Sequence, residues 1–336
     1  MIPVAFDATL NDALDAATER LDRGRLVAFP TETVYGLGAD ASRTDAVHRI
    51  FAAKGRPSDH PLIVHLATRT DPLQWAREIP PLAARLIDRF WPGPLTLILP
   101  RRSGVGEAAA GGQDSIGLRC PSHPVAQELL SRYATLRRTG PIGIAGPSAN
   151  RFGHVSPTSA RHVRDEFGDL AHDLGDAGIL VVDGGDSAVG IESTIVDCTR
   201  LDRLGPVLLR PGSVTATMIA EAVGIELRDA DREAPRASGT LASHYAPNTP
   251  LRLVDASDLE AAPDDVVVWA HSAAAAGHRH EAPCDPVTYA HRLYAALRTL
   301  DAMGAREIWI ERPPPTAEWA GINDRLMRAA AARSFD

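Results

Sequence analysis

The sequence predicts an α/β protein in two parts: an N-terminal twisted mixed sheet with helices packed on it, and a small C-terminal α/β domain. Three observations lead there. Short apolar runs of strand length alternate with helical periodicities over the first 223 residues. Several of those runs follow one another too closely for a full helical crossover, so antiparallel as well as parallel pairs are required. After Val223 the texture changes, and a second set of apolar strands begins near residue 248.

Taken in order, Leu10, Leu14, Ala17 and Leu21 share a helical face that Gly24 terminates. Arg25–Pro30 reads as a short strand running into a turn. Ser42 or Thr44 is expected to cap a helix carrying Val47, Ile50 and Phe51 as far as Lys54. Strands are expected at Pro61–Leu66, Leu95–Leu99, Ile116–Arg119, Ile142–Ala145, Ile179–Val182, Ser193–Cys198 and Val207–Leu209. Helices are expected at Pro81–Phe90, Pro124–Tyr133 and Ser159–Phe167. Arg228–Ser243, rich in Ala, Arg, Asp and Glu, reads as a linker. Beyond it come strands at Leu251–Val254, Val266–Trp269 and Glu307–Ile310, a helix over Tyr289–Met303 and a terminal helix over Asn323–Ala331. The resulting division is 1–227, a linker over 228–247, and 248–336.

Composition narrows the function classes. At 336 residues, 44% hydrophobic and 23% charged, the chain has ordinary globular values and enough length for two domains. No apolar run reaches membrane-spanning length and no signal peptide is visible, so the expectation is a cytoplasmic protein with no membrane association. Cys120, Cys198 and Cys284 are too few and too scattered for a disulfide framework or a zinc cluster. A net charge of −8 argues against a protein that coats a nucleic-acid backbone, because that affinity comes from neutralised phosphates. It suits small anionic ligands better.

Thirty-four of the 35 basic residues are arginine, and the one lysine, Lys54, stands two residues before Arg56 in Ala53-Lys54-Gly55-Arg56-Pro57. An ammonium is a compact point charge and a guanidinium a planar fork, a combination suited to polyphosphate. No G-x-x-x-x-G-K-[ST] loop is present. Gly36–Ala41 satisfies G-x-G-x-x-A, but its polar, turn-like approach and the lack of a following acidic strand end make it a false positive. Five polar islands instead edge the apolar strands: Pro30–Gly36, Ile116–Pro121, Gly146–Asn150 with Ser156 beyond, Ile191–Asp197, and Leu208–Gly212. Singly, each is an ordinary turn. Together they bring Arg119 and Arg210 and several hydroxyls to join Lys54 and Arg56, at the strand ends where α/β proteins gather ligands.

In that order the segments KGRP, PLIVH, WPGPLTLIL, LRCP, GPSAN, ESTIVD and LLRPG resemble the YrdC-like threonylcarbamoyl-AMP synthases. The tail with Ser243-His244-Tyr245-Ala246-Pro247 is similar to the two-domain type, covering nearly the whole chain. The resemblance implies a YrdC-like domain followed by a Rossmann-like one. The implied reaction joins L-threonine, bicarbonate or CO2, and ATP into threonylcarbamoyl-AMP and pyrophosphate. It also implies a downstream tRNA-modifying transferase complex that carries the group to the adenosine beside the anticodon, and leaves direct tRNA contact open. Lys54 and Arg56 are the expected catalytic pair. They would bind ATP with His60, Ser115, Ser148, Asn150, Ser156, Arg210, His244 and Tyr245. Thr33, His65, Arg119, Gly146 and Ser193 would bind threonine, with Arg119 clamping its carboxylate. Mg2+ is expected to arrive with the nucleotide, with no protein-held metal site.

Departures from the family pattern are His60 in place of asparagine, Gly146 in place of alanine and Phe152 in place of serine. None removes a charge. His244 and Tyr245 either fold over the cleft or pack between domains. The group His271, His278, His280 and His291 reads as a solvated loop rather than a metal site. The competing functions are a carbamoyl transferase of the hydrogenase-maturation type, which needs zinc-finger cysteines, and a non-catalytic RNA-binding or ribosome-associated factor.

Overall fold

The computed structural model describes residues 6–172, 175, 177–272 and 278–331; the outer ends of the two expected domains, 1–5 and 332–336, lie outside the described residues. Ten strands form the first sheet: β1 (Leu26–Phe29), β2 (Gly36–Asp40), β3 (Ile63–His65), β4 (Leu95–Pro100), β5 (Ser115–Arg119), β6 (Ile144–Ala145), β7 (Ile179–Val181), β8 (Thr194–Asp197), β9 (Val207–Arg210) and β10 (Arg228–Asp229). Their spatial order is β10-β9-β8-β4-β5-β3-β6-β2-β1-β7. The pairs β1–β7, β3–β5, β4–β8 and β9–β10 are parallel and the others antiparallel, the mixed sheet that the strand spacing requires. Helices α1 (Ala8–Asp22), α2 (Thr44–Lys54), α3 (Pro81–Phe90), α4 (Pro124–Arg137), α5 (Ala160–Phe167), α6 (Asp169–His172), α7 (Leu201–Leu204) and α8 (Ala216–Val223) lie among them.

The period-two alternation of the central strands separates core from site. In β3, β4 and β5, Val64, Leu95, Leu97, Leu99, Ile116 and Leu118 enter the main core. Ile63 and Ile98 belong to a separate apolar group on the other face, with Ile195, Val207 and Leu209. Because successive side chains point to opposite faces, His65 falls on the face of Ile63 and Arg119 on that of Gly117. The parallel register then sets His65 directly opposite Arg119.

Four strands form the second sheet, β11 (Leu251–Val254), β12 (Val266–Ala270), β13 (Arg279–Glu281) and β14 (Glu307–Glu311), all parallel in the order β11-β14-β12-β13. Parallel sheets need cover on both faces. Helices α9 (Pro286–Asp301) and α10 (Ala320–Ala330) pack Tyr289, Leu293, Leu297, Ile322 and Leu326 against Val267, Trp269, Ile308 and Ile310. The opposite face closes under Leu259. That same helical layer reaches Val34, Val155, Ile191 and Tyr245, so the second unit is packed onto the first near the expected site.

The sequence expectations need four adjustments. Neither Ser42 nor Thr44 caps α2: Arg43 holds the N-cap position without a side-chain hydrogen bond, and the Ser42 hydroxyl is spent on Asp40. The glycine-rich segment after Tyr35 is strand β2, whose glycines make room for Phe29: a Cβ on Gly38 would sit 2.8 Å from that ring. The first sheet ends with β10, two residues inside the expected linker. The four histidines are not one solvated loop: His271 follows β12 and meets Glu311 at 3.2 Å, His280 lies in β13, and His291 on α9 hydrogen-bonds the Ser187 carbonyl. Among the described residues, no helix is long and apolar enough to cross a membrane.

Candidate active site

The loop between β1 and β2 is folded by its own hydroxyls. Thr31 Oγ1 donates to the Val34 carbonyl at 2.6 Å and shares a 2.8 Å hydrogen bond with Thr33 Oγ1. This places Thr33 Oγ1 where it accepts from Arg119 Nη1 at 2.8 Å. The Arg119 guanidinium also donates to the Gly93 carbonyl and forms a 2.8 Å ion pair with Glu32, both side chains being buried. Fixed on two sides, the fork keeps its remaining N–H groups in one orientation.

Helix α2 ends at Gly55, whose φ of +62° suits a residue without a Cβ and reverses the chain so that Arg56 leaves the helix. Arg56 donates to the Pro61 carbonyl at 2.8 Å and reaches Ser238 Oγ at 3.4 Å. Across from it, Arg210 donates to the Ser193 carbonyl at 3.0 Å, to Ser193 Oγ at 3.2 Å and to the Ser238 carbonyl at 2.9 Å. Burial lowers the pKa of both arginines, Arg56 to about 10 with Arg210 adding to the effect. Two buried guanidiniums held mostly by neutral partners make an anion-seeking arrangement.

A single hollow unites much of the expected site. Thr33, Arg56, His65, Arg119, Gly146, Ser148, Ser193, Arg210, His244 and Tyr245 all line it, with Thr31, Glu192, Ser238 and Gly239 among their neighbours. Its volume is about 30 Å³, where one water needs about 10–15 Å³. Burial, with Arg119 nearby, brings His65 down to about 3, so its ring is neutral at ordinary pH, and its Nδ1 is buried without a hydrogen-bond partner. Gly146 gives that ring its space, since a Cβ there would lie 3.0 Å from His65 Nδ1.

Other expected residues stand around the hollow without lining it. The Lys54 amino group donates to the Ser148 carbonyl at 2.6 Å and to the Asn150 carbonyl, which ties α2 to the Gly146–Asn150 loop. Burial and then Arg56 hold its pKa well below the usual lysine range. Asn150 Nδ2 donates to the Arg151 and His154 carbonyls, and Ser156 Oγ donates to Glu192. His60 lines a neighbouring cavity with Phe152, reached past Arg56, Gly239 and His244, and Ser115 lines a third beneath Ser238.

The segment after β10 crosses this face as a strap. Arg236 pairs with Asp59 at 2.8 Å, and its backbone exchanges hydrogen bonds with the Gln113 side chain. Ser238 and Gly239 then reach the two arginines, and His244 and Tyr245 close the hollow. Tyr245 also packs on Tyr294 of α9 with ring centres 5.7 Å apart, so it lies both at the hollow and between the two units. Tyr245 has φ +63°, a costly conformation for an aromatic residue. Burial brings His244 to about 3.

Sequence reasoning passed over Glu32, Glu192 and Ser238. The first two sit inside motifs already singled out, and an acid among hydroxyls and arginines was the signal for each. Ser238 carried none. Among the described residues, no group of three or more His, Cys, Asp or Glu side chains is placed to hold a metal ion.

Comparison with known proteins identifies the family of both parts of the chain. Residues 19–212 match the Sua5_yciO_yrdC family model, described as "Telomere recombination", and residues 214–331 match the model described as "Threonylcarbamoyl-AMP synthase, C-terminal domain". The chain belongs to the Sua5/YciO/YrdC family, in its two-domain form. A threonylcarbamoyl-AMP synthase of Bacillus subtilis is 37% identical across 99% of this chain and 97% of its own length. One from Pyrococcus abyssi is 42% identical across 69% of this chain and 65% of its own. The crystal structure of P. abyssi Sua5 complexed with L-threonine superposes with a TM-score of 0.83 at 35% identity, covering 96% of this chain and 95% of that one.

Proposed function

We propose that this protein is a threonylcarbamoyl-AMP synthase, working as a nucleotidyltransferase on L-threonine, bicarbonate or CO2, and ATP. The observation that carries the reading is the convergence of Arg56, Arg119 and Arg210 on one hollow edged by the hydroxyls of Thr33, Ser148 and Ser193. Threonine's amine and CO2 give a carbamate, releasing one proton. The carbamate oxygen then attacks the α-phosphorus of ATP, forming the mixed anhydride as the bond to pyrophosphate breaks. The nucleophile is already an anion, so the protein's task is to place two anions side by side and to stabilise charge on the leaving group. Arg119 clamps the threonine carboxylate, and Thr33, neutral His65, Gly146 and Ser193 shape the amino-acid pocket. Arg56 and Arg210 take the phosphates. Lys54 and Asn150 hold the loop that presents Ser148, and His60 and Ser115 line the cavities into which the nucleotide extends.

The present hollow is too small for a nucleotide, and Ser238 stands against both phosphate arginines. Entry of ATP therefore requires the strap to move, and His244 and Tyr245 close over the bound nucleotide afterwards. Mg2+ comes with the triphosphate, because Glu32 and Glu192 are both engaged by arginines and offer no ready ligand set. We assign catalysis to the part built on the first sheet, closure to the strap as far as residue 247, and support to the part from 248 onward. The product would pass to a transferase that modifies tRNA, in a reducing cytoplasm that suits three free cysteines.

The test is pyrophosphate release from ATP by the purified chain. It should require both threonine and bicarbonate; release without threonine, or none at all, refutes the reading. An RNA-binding factor without catalysis would release none.

A further inference from the structure

The hollow contains a carboxylate that an anion site would be expected to avoid. Glu192 lines it beside Arg56 and Arg210 and is only 6% exposed. Its neutralisation comes from the second domain. Arg325 on α10, fully buried, donates through Nε to Glu192 Oε2 at 3.0 Å and through Nη2 to the Glu192 carbonyl at 3.1 Å. Its Nη1 donates to the Pro211 carbonyl at 2.6 Å. Tyr294 on α9 donates to the same Oε2 at 2.8 Å, and Ser156 to Oε1 at 2.5 Å. The grip falls on both sides of the site: Glu192 precedes Ser193, and Pro211 follows Arg210. Arg325 also lies over the Tyr245 ring, 5.6 Å from its centre.

We propose that Arg325 is a positioning residue for nucleotide binding, supplied by the C-terminal domain: it cancels the Glu192 charge and fixes the Ser193 and Arg210 walls so that the hollow accepts a triphosphate. The proposal rests on the reading of Arg56 and Arg210 as phosphate ligands. The charge balance supports it. Arg56, Arg119, Arg210, Arg325 and Arg328 against Glu32, Glu192 and Asp324 leave the side chains in and behind the walls of the hollow with two net positive charges. Without Arg325 one of these is lost, and a buried carboxylate is left facing the phosphates. Burial alone would raise Glu192, but Arg325 and Arg210, with the Ser156 and Tyr294 hydrogen bonds, outweigh it and hold the group at about 2. The other groups bearing on Glu192 and Arg325 are Lys54, His244, Tyr245 and Asp324, the last paired with Arg325 at 2.9 Å.

The experiment is equilibrium binding of ATP to the full-length protein and to Arg325→Met, Arg325→Lys and the double variant Arg325→Met/Glu192→Gln, each checked for folding by circular dichroism. Arg325→Met should weaken ATP binding about tenfold or more, since an uncompensated buried charge is among the costliest changes a site can suffer. The double variant, with charge balance restored, should return to within about threefold of wild type, a rescue that loss of packing alone would not give. The ratio of variant to wild-type dissociation constants should also shrink as pH falls from 8 to about 5, because the freed Glu192 carboxyl regains its protonation there. A folded Arg325→Met protein that binds ATP like wild type overturns the proposal. So does a folded double variant with no recovery. If Arg325→Met does not fold, the folded double variant decides, binding within about threefold of wild type if the proposal holds and with a tenfold loss if it does not; Arg325→Lys, which keeps the charge but loses the fork, should lie between it and Arg325→Met. Wild-type turnover separates the two readings, since a protein that binds ATP without threonine-dependent pyrophosphate release refutes the proposed function alone.

Discussion

Replacing Lys54 by methionine tests whether the only lysine acts as a holder or only as a ligand. Lys54 is 3% exposed, and its amino group donates to two backbone carbonyls, those of Ser148 and Asn150. Methionine fills similar space but leaves both carbonyls without that donor. Each buried acceptor left unsatisfied costs roughly 1–3 kcal/mol. Relief from burying the amine offsets part of this, so we expect a net loss of about 3 kcal/mol. For a domain of about 150–250 residues, 1 kcal/mol moves Tm by roughly 2–4 °C, which gives a fall of about 6–12 °C. The assay is thermal melting by far-ultraviolet circular dichroism, run beside threonine-dependent pyrophosphate release. Both should drop together, because the Gly146–Asn150 loop carries the wall of the hollow. An Arg56→Met protein provides the contrast: activity falls with a smaller change in melting. If Lys54→Met melts like wild type, the two carbonyl bonds do not hold the loop and the reasoning is wrong.

Three further outcomes are expected. Arg119→Lys keeps the charge but loses the fork, and should raise KM for threonine about tenfold to hundredfold, the worth of a charged hydrogen bond of roughly 1.5–3 kcal/mol, while ATP binding changes little. Gly239→Ala should loosen the strap and reduce turnover, because φ is +74° and the new Cβ would lie 2.3 Å from Tyr245 Oη; faster proteolytic cleavage within 231–245 is the readout. Acid should destabilise the protein early. His65 and His244 are neutral in the fold down to about pH 3, whereas unfolded histidine takes up a proton below about pH 6.5. Their contribution is complete above 6.5 and shrinks below it, by about 2 kcal/mol each between pH 6.5 and 5. Glu192 and Glu166, both held near 2, add their loss only below about pH 4.5. A melting temperature that is flat from pH 7 to 5 would contradict this.

Much of the fold was legible because it is written locally. Leu95–Pro100 is a nearly unbroken apolar run and is buried along its whole length, as a strand covered on both faces should be. Alternation in Ile63-Val64-His65 already put a polar ring beside an apolar side chain on the same face. Short elements were harder to see. β2 is glycine-rich, with a pattern set by the ring it must accommodate, and β13 has three residues in which apolar alternation has no room to show. The cap of α2 was misplaced because the Ser42 hydroxyl had a stronger local partner in Asp40, 2.7 Å away.

The chain's own residues determined the sheet class, the family and the set of arginines and hydroxyls that line the hollow, since these depend on side-chain identity and periodicity. Only the tertiary structure decided who serves whom. Lys54 spends its donors on carbonyls 94 and 96 positions away, Glu32 pairs with Arg119, and an arginine at position 325 settles the charge of a glutamate at 192. Such pairings follow from which strand ends and helices the packing brings together, and distance along the chain carries no record of them.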